Sequence, residues 1–311
     1  MRELGIIIVT YNSGSEIGPC LDAALSTGAR VMVVDNGSTD ETLEQVRKRG
    51  AGLMVNSDNR GFAAAVNQGI REITEDYILL LNPDAVIQSS LQPMLEVCSK
   101  PGTGAVGGKL VGSDHALQAG FTARNLPTPA VLLLEILMIN RLWPANPANW
   151  HYRCYGFDHG QSGEVEQPAG AFLMFRRNVW ASVGGMDERF SPIWFEDVDF
   201  CKRLKDQGYR VYYEPKSVAV HKGGHSIQKI LLEKRELYWY GSLLKYGFKH
   251  FLPATARGLC LAVIIGSLLR MALGIVIQRS FKPIGVYSKV IRLAGRSVVF
   301  GPLNVGSRLH S

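Results

Sequence analysis

Three carboxylates crowd into four residues of the segment Trp194-Phe195-Glu196-Asp197-Val198-Asp199-Phe200. Aromatic neighbours and like charge both disfavour ionisation, which suits one of these acids to take a proton from a substrate hydroxyl. A plainer role is open to the same residues, since acids in the first turn of a helix complement its macrodipole. A second acidic position, Asp84, closes the tripeptide Asn82-Pro83-Asp84 directly after the most apolar run of the chain, YILLLN (77–82). A carboxylate there can hold a hard divalent cation that also binds substrate phosphates, because Mg²⁺ takes only one or two protein carboxylates. A simple β-turn would use the same residues. His221 ends a short apolar run, with Lys222-Gly223-Gly224-His225 after it, and pairs with Asp84 as a candidate metal ligand. Asp35 ends the run RVMVVD (30–35). A buried carboxylate needs a partner, and a base N–H, a ribose hydroxyl or the turn at Asn36-Gly37 would each serve.

These residues follow apolar runs at regular intervals, and that placement implies the scaffold. Runs at 5–10, 30–35, 53–56 and 77–82 read as strands, with helices near 15–27, 39–49 and 62–75; Ser38, Thr39 and Asp40 with Glu41 are positioned to cap the second helix. Continuous apolar strands alternating with helices predict an α/β fold with a mainly parallel sheet covered on both faces. Ligands gather at the carboxyl ends of such strands, where Thr10-Tyr11-Asn12, Asp35-Asn36-Gly37, Asn56 to Arg60 and Asn82-Pro83-Asp84 all fall. Residues 112–166, rich in proline and aromatic residues, read as an irregular insertion with one helix at 130–141. Further on, strands are expected at 171–176, 211–213 and 218–221, and helices at 197–207 and 229–248. The glycine pattern Gly102-x-Gly104-x-x-Gly107 follows Pro101 and leads into a strand, the reverse of a dinucleotide-binding turn.

Charge divides the chain unevenly. All 27 acidic residues lie at or before Glu236, whereas ten of the 34 basic residues follow it. Those charges are spread among long aliphatic runs, which suits an anionic membrane surface and not nucleic acid. Leu259–Ile277 is apolar except for Ser267 and Arg270, and an arginine at the centre of a span costs roughly 2.5–3.5 kcal/mol on insertion scales. The stretch therefore reads either as an in-plane membrane anchor or as a helix packed on the core or on a second copy of the chain. The five cysteines form no CxxC pair and read as reduced, buried thiols. The start MRELGIIIVTYN has no signal-peptide cleavage region, so the catalytic part is expected in the cytoplasm, peripheral at the inner face of the membrane.

Five segments in order, IIIVTYNSG (6–14), VVDNGSTDET (33–42), NRGFAAAVNQGI (59–70), LLLNPDA (79–85) and AGAFLMFRRNVWASVGGMDERFSPIWFEDVDFCKRL (169–204), together resemble family 2 glycosyltransferases, and among them the bacterial rhamnosyltransferases. The resemblance implies a GT-A fold over residues 1–230, followed by a helical, basic region at 231–311. It implies that Thr10, Tyr11, Asn12 and Asp35 hold the nucleotide, that Asn59, Arg60 and Gly61 lie against the ribose and diphosphate, and that Gly170 and Ala171 line the pocket. The family's Asp-x-Asp motif stands here as Asn82-Pro83-Asp84, with an amide in place of the first carboxylate. Asp84 and His221 would then hold Mg²⁺ or Mn²⁺, and of the pair Glu196-Asp197 the aspartate would act as base. The implied reaction is inverting transfer of rhamnose or a similar sugar from a dTDP- or UDP-sugar to a hydroxyl of a lipid-linked (polyprenyl) glycan. A nucleotidyltransferase would call for a basic triphosphate loop, and residues 10–20 contain no Lys or Arg. A non-catalytic scaffold would have lost Asp84 or Asp197, and both are present.

Overall fold

The structure is a computed structural model that describes residues 3–223 and 230–303. Gly224 and His225 lie outside the described residues. The first part of the chain runs β1 (Leu4–Thr10), α1 (Gly14–Ser26), β2 (Arg30–Asp35), α2 (Thr42–Arg49), β3 (Gly52–Val55), α3 (Phe62–Glu72), β4 (Tyr77–Leu81), β5 (Ala85–Ile87), α4 (Gln92–Ser99) and β6 (Thr103–Val111). A middle stretch follows with β7 (Ala123–Arg124), α5 (Pro129–Ile136), α6 (Ile139–Leu142), α7 (Pro147–Tyr152), β8 (Gly163–Val165) and β9 (Gln167–Pro168). Then come β10 (Phe172–Arg176), α8 (Arg177–Ser182), α9 (Glu196–Asp206) and β11 (Arg210–His221). Three helices close the chain: α10 (Leu232–His250), α11 (Pro253–Gln278) and α12 (Lys282–Phe300).

The main sheet has the order β3-β2-β1-β4-β10-β6-β11-β5, with β8 paired to β11. Strands β1 to β4 are mutually parallel, β10 enters antiparallel between β4 and β6, and β11 runs parallel to β6. Side chains alternate across the sheet as the pleat requires. Ile6, Ile8, Val31, Val33 and Leu79 pack with Ile17 and Leu21 of α1 and Met94 of α4. Ile7, Val9, Val34, Ile78 and Leu80 pack on the opposite face with Val66 and Ile70 of α3 and Phe200 and Leu204 of α9. Apolar residues at every strand position are thus explained by burial on both faces. Chain order reverses between β1 and β4, the topological switch point where α/β sheets bind ligands.

Polar latches fix the connections. Asp40 accepts from Thr42 N at the start of α2 and from Gly14 N at the start of α1, so one carboxylate faces the positive ends of two helices. Arg177 donates to the carbonyls of Ile70, Ile73 and Glu75, satisfying the end of α3. Asn67, buried in α3, donates to Met186 O and Glu188 Oε1 and accepts from Met186 N and Trp180 Nε1.

Two compact units emerge. The sheet unit holds residues up to Leu126, Arg153–Glu188 and the chain from Glu196 through β11. The helical unit joins Pro127–Tyr152, Arg189–Phe195 and the three closing helices. The segment 112–166, expected as one insertion, is therefore divided, and the C-terminal helices are not set apart by a single cut near 230. The helix expected at 130–141 breaks into α5 and α6 because Met138 takes a left-handed backbone, φ 64°. The two strands expected at 211–213 and 218–221 are one strand, β11, with a register irregularity between Glu214 and Val218. Gly104 and Gly107 lie within strand β6, as expected of glycines that do not form a dinucleotide-binding turn.

Asn67→Ala would leave the buried N–H and C=O of Met186 without partners, at roughly 1–3 kcal/mol for each such group. Urea unfolding should show a lower midpoint at unchanged slope, a loss on the order of 3 kcal/mol.

Candidate active site

The turn after β4 is held from both sides. Asn82 N donates to Ala171 O at 3.0 Å, continuing the β4–β10 ladder one step past the strand. Antiparallel pairing of β5 with β11 sets His221 opposite Ala85, so Asp84 and His221 meet by strand register. His221 Nε2 lies 3.4 Å from Asp84 Oδ1 and 3.5 Å from Asn82 Nδ2. Gln118 Nε2 donates to the His221 carbonyl at 2.6 Å, which turns Gln118 Oε1 toward His221 Nδ1 at 3.0 Å and assigns a proton there. Phe121 stacks flat against the imidazole.

With Nδ1 protonated, Nε2 and the Asp84 carboxylate face one another as two acceptors, and one positive charge fits between them. A proton on Nε2 meets that need, and so does a divalent cation. Burial pushes the Asp84 carboxyl up, but the hydrogen bond and charge of His221, with backbone amides at Asp84 and Gly223, outweigh it and leave the group below its ordinary value. A histidine oriented through its far nitrogen beside a carboxylate has the chemistry of a metal-ligand pair. Among the described residues no group of three His, Cys, Asp or Glu side chains forms, so a cation here would draw its remaining ligands from substrate oxygens and water.

Next to that turn, Gly170 N donates to Asp197 Oδ2 at 3.0 Å, joined by Gln167 Nε2 at 3.2 Å. Asp197 Oδ1 accepts from its neighbour Val198 N. A Cβ on Gly170 would sit 3.0 Å from the Asp197 Cβ, so glycine permits this approach. Asp197 is half-buried, whereas Glu196 and Asp199 are buried. Asp199 pairs with Arg203 one helical turn on, a spacing visible in the sequence. Glu196 Oε2 has no hydrogen-bond partner among the described residues.

The other expected ligand residues form a neighbouring group. Asp35 is wholly buried, and both of its oxygens are engaged: Oδ1 by Thr10 Oγ1 and Ser38 Oγ, Oδ2 by the backbone of Gly37 and Ser38. Of the partners open to it in sequence, the structure supplies the turn. Asn12, left-handed at φ 53°, accepts from Thr39 N and donates its own N–H to Ser38 Oγ. Tyr11 is exposed. Asn59 accepts from Gly61 N, and Gly61 O accepts from Asn36 Nδ2. Arg60 is exposed and makes no hydrogen bond or ion pair among the described residues. Helix α1 ties the two groups together, since Cys20 Sγ donates to Asn82 O and Glu16 pairs with Lys222, the residue after His221.

Sequence reasoning missed Gln118, Phe121 and Gln167, which no local motif marks and only strand pairing brings to the site. Within the helical unit it missed a further set of polar contacts. Buried Lys245 donates to the carbonyls of Arg189 and Ser191, and Ser242 donates to Ile193 O. They hold the segment that ends in Trp194 and Phe195, both left-handed at φ 78° and 69°, immediately before Glu196.

A family model described as "Glycosyl transferase family 2" matches residues 5–178, and one described as "Glycosyl transferase family group 2" matches residues 143–294. An N-acetylglucosaminyl-diphospho-decaprenol L-rhamnosyltransferase from Mycobacterium tuberculosis is 28% identical over 241 residues, covering 72% of this chain and 77% of its own. A low-salt glycan biosynthesis hexosyltransferase from Haloferax volcanii is 24% identical over 68% of this chain and 64% of its own. Among solved structures, a mannosyltransferase from Pyrobaculum calidifontis in complex with GDP-mannose and Mn²⁺ superposes with a TM-score of 0.55. That match has 16% identity and covers 96% of this chain and 88% of the other, a likeness of fold.

Burial first, then the charge of Asp197, pushes the Glu196 carboxyl well above its usual 4.5. The folded chain keeps a proton that the unfolded chain releases above that value, so this residue's contribution to stability falls as pH rises from about 4.5 toward the folded-state value. Glu196→Gln removes the linkage. Thermal unfolding at ~pH 5 and ~pH 8 should show the variant gaining on the parent at the higher pH; parallel curves would mean that Glu196 is ionised in the fold.

Proposed function

The chain belongs to glycosyl transferase family 2, and from that premise we propose that it transfers rhamnose or a related sugar from a dTDP- or UDP-sugar, with inversion, to a hydroxyl of a lipid-linked glycan on the cytoplasmic side of the cell envelope. The observation that carries the reading is the coupling of Asp197 to the Asn82–Asp84 turn through the adjacent residues Gly170 and Ala171. A base and a cation-competent pair are thereby fixed to one short piece of backbone. The relative that acts on a decaprenol-diphosphate sugar supports the lipid-linked acceptor and the rhamnosyl donor.

In this reading Asp197 accepts the acceptor's hydroxyl proton as that oxygen bonds to the anomeric carbon. The bond from the anomeric carbon to the diphosphate breaks on the opposite face, and its electron pair leaves with the nucleoside diphosphate. Gly170 and Gln167 hold Oδ2, so the carboxylate is aimed before substrate arrives, and positioned base catalysis is worth roughly 10²–10⁴-fold. Glu196 is buried beside Asp197, with its carboxyl pushed well above the usual range, and is not assigned the role of proton acceptor. Mg²⁺ or Mn²⁺ held by Asp84 and His221 would neutralise charge on the diphosphate. Arg60, exposed beside Gly61, offers a further cation to the phosphates. Tyr11 offers a ring face to the base, while Thr10 and Asp35 shape the loop behind it and Asn12 fixes its turn.

Asp197→Asn should lower turnover by at least about 10²-fold with donor affinity little changed, as read by steady-state kinetics and calorimetry. Near-normal turnover would transfer the base role to another group. Chelator should abolish activity and Mg²⁺ or Mn²⁺ restore it, and Asp84→Ala should weaken donor binding only when metal is present.

A further inference from the structure

Helix α11 is 26 residues long, about 39 Å at the rise of an α-helix, and by length and composition it could cross a membrane. Its packing points elsewhere. One face, with Leu259, Cys260, Val263 and Gly266, is buried within the helical unit, where α11 packs on α5, α10 and α12. Gly266 lies so close to Ile136 that a Cβ there would collide with its carbonyl. The opposite face carries Leu261, Ile265, Leu268 and Val276 at helical spacing, and toward the end of the helix the exposed apolar surface extends round to Leu273 and Ile277; Val276 and Ile277 are 74% and 76% exposed. Phe281, in the turn that follows, is 77% exposed.

Arg270, the obstacle to burial in lipid, does not point out from that face. Its guanidinium donates to the carbonyls of Glu135, Ile136 and Gly266 and lies over the Tyr240 ring. The charge is satisfied inside the protein, and the outward stripe is left apolar. Exposed cations flank the stripe: Arg257 one turn before Leu261, then Arg279 and Lys282 just after Ile277, with Arg292 and Arg296 on the exposed side of α12. No acidic residue follows Glu236 in the sequence.

We propose that the helical unit docks on an anionic lipid surface through this face of α11, lying in the plane of the interface without crossing it. Apolar side chains enter the acyl boundary while the flanking cations meet lipid phosphates. A second copy of the chain fits less well, because pairing two such faces would bring like charges together. The inference rests on the surface of the helical unit and is independent of the sugar and acceptor proposed above.

The test uses the full chain with vesicles of phosphatidylglycerol and phosphatidylcholine, compared with phosphatidylcholine alone. The protein should co-sediment with the anionic vesicles at low salt, and high salt or an alkaline wash should release it. The double variant Val276→Glu/Ile277→Glu should lower the bound fraction at least about tenfold, with unchanged thermal unfolding and unchanged nucleotide-sugar binding. Arg279→Glu/Lys282→Glu should weaken binding to anionic vesicles and leave the phosphatidylcholine background unaltered. Failure of the parent to bind anionic vesicles at low salt overturns the proposal, as does binding indifferent to both variants. Retention through the alkaline wash would mean a spanning helix. A dimer mass by light scattering that falls to monomer in the first variant, without vesicle binding, would assign the face to a second copy. In each case nucleotide-sugar binding separates loss of docking from loss of the catalytic reading.

Discussion

Everything at the site hangs on the insertion of β10 antiparallel between β4 and β6. A strand deep in a sheet must pair every backbone group on both sides, so the residues just before β10 cannot drift. Ala171 spends its carbonyl on Asn82, and Gly170 spends its amide on Asp197. Without that strand the turn after β4 would lose the bond from Asn82 N to Ala171 O, and Asp197 would lose the Gly170 amide. The demand for backbone pairing, more than any side-chain contact, sets the spacing between a candidate base and a candidate cation pair.

Environment then sorts the acids into different trades. Asp35, Asp40 and Asp199 are filled by protein donors or an arginine and serve as fasteners. Glu196 has one oxygen without a hydrogen-bond partner among the described residues, and burial pushes its carboxyl well above the usual range. Asp197 remains partly open, and Asp84 faces a histidine across a gap suited to one cation. Six carboxylates acquire distinct roles in this way, several of them through neighbours lying tens of residues away in the chain.

That is also why the sequence was legible in some places and opaque in others. Strands such as Arg30–Asp35 and helices such as Glu196–Asp206 announce themselves because apolar periodicity and burial have the same cause. The polar residues ending each strand were locatable because parallel sheets gather them at one edge. The partition of Asp35 toward its own turn was not legible, since turn and ligand make identical demands on a carboxylate. Gln118 and Gln167 carry no signal of their own, for an amide becomes a support only once pairing brings it beside His221 or Asp197. The division of residues 112–166 between two units was hidden for the same reason, as was the breakage of a helix by left-handed Met138.

The grip of Lys245 and Ser242 on Arg189–Phe195 bears on how such a chain can be cut or recombined. A chimera joined near residue 230 would carry the donor motifs intact yet lose the ammonium that satisfies the Arg189 and Ser191 carbonyls, two residues that sit far upstream of the junction. The backbone leading into Glu196-Asp197 would be released by a change made some fifty positions later. A seam after His250 parts contacts as well, since Arg270 of α11 fills the carbonyls of Glu135 and Ile136 and Lys289 of α12 pairs with Glu233, so these helices are best exchanged together with Pro127–Tyr152 and Arg189–Phe195.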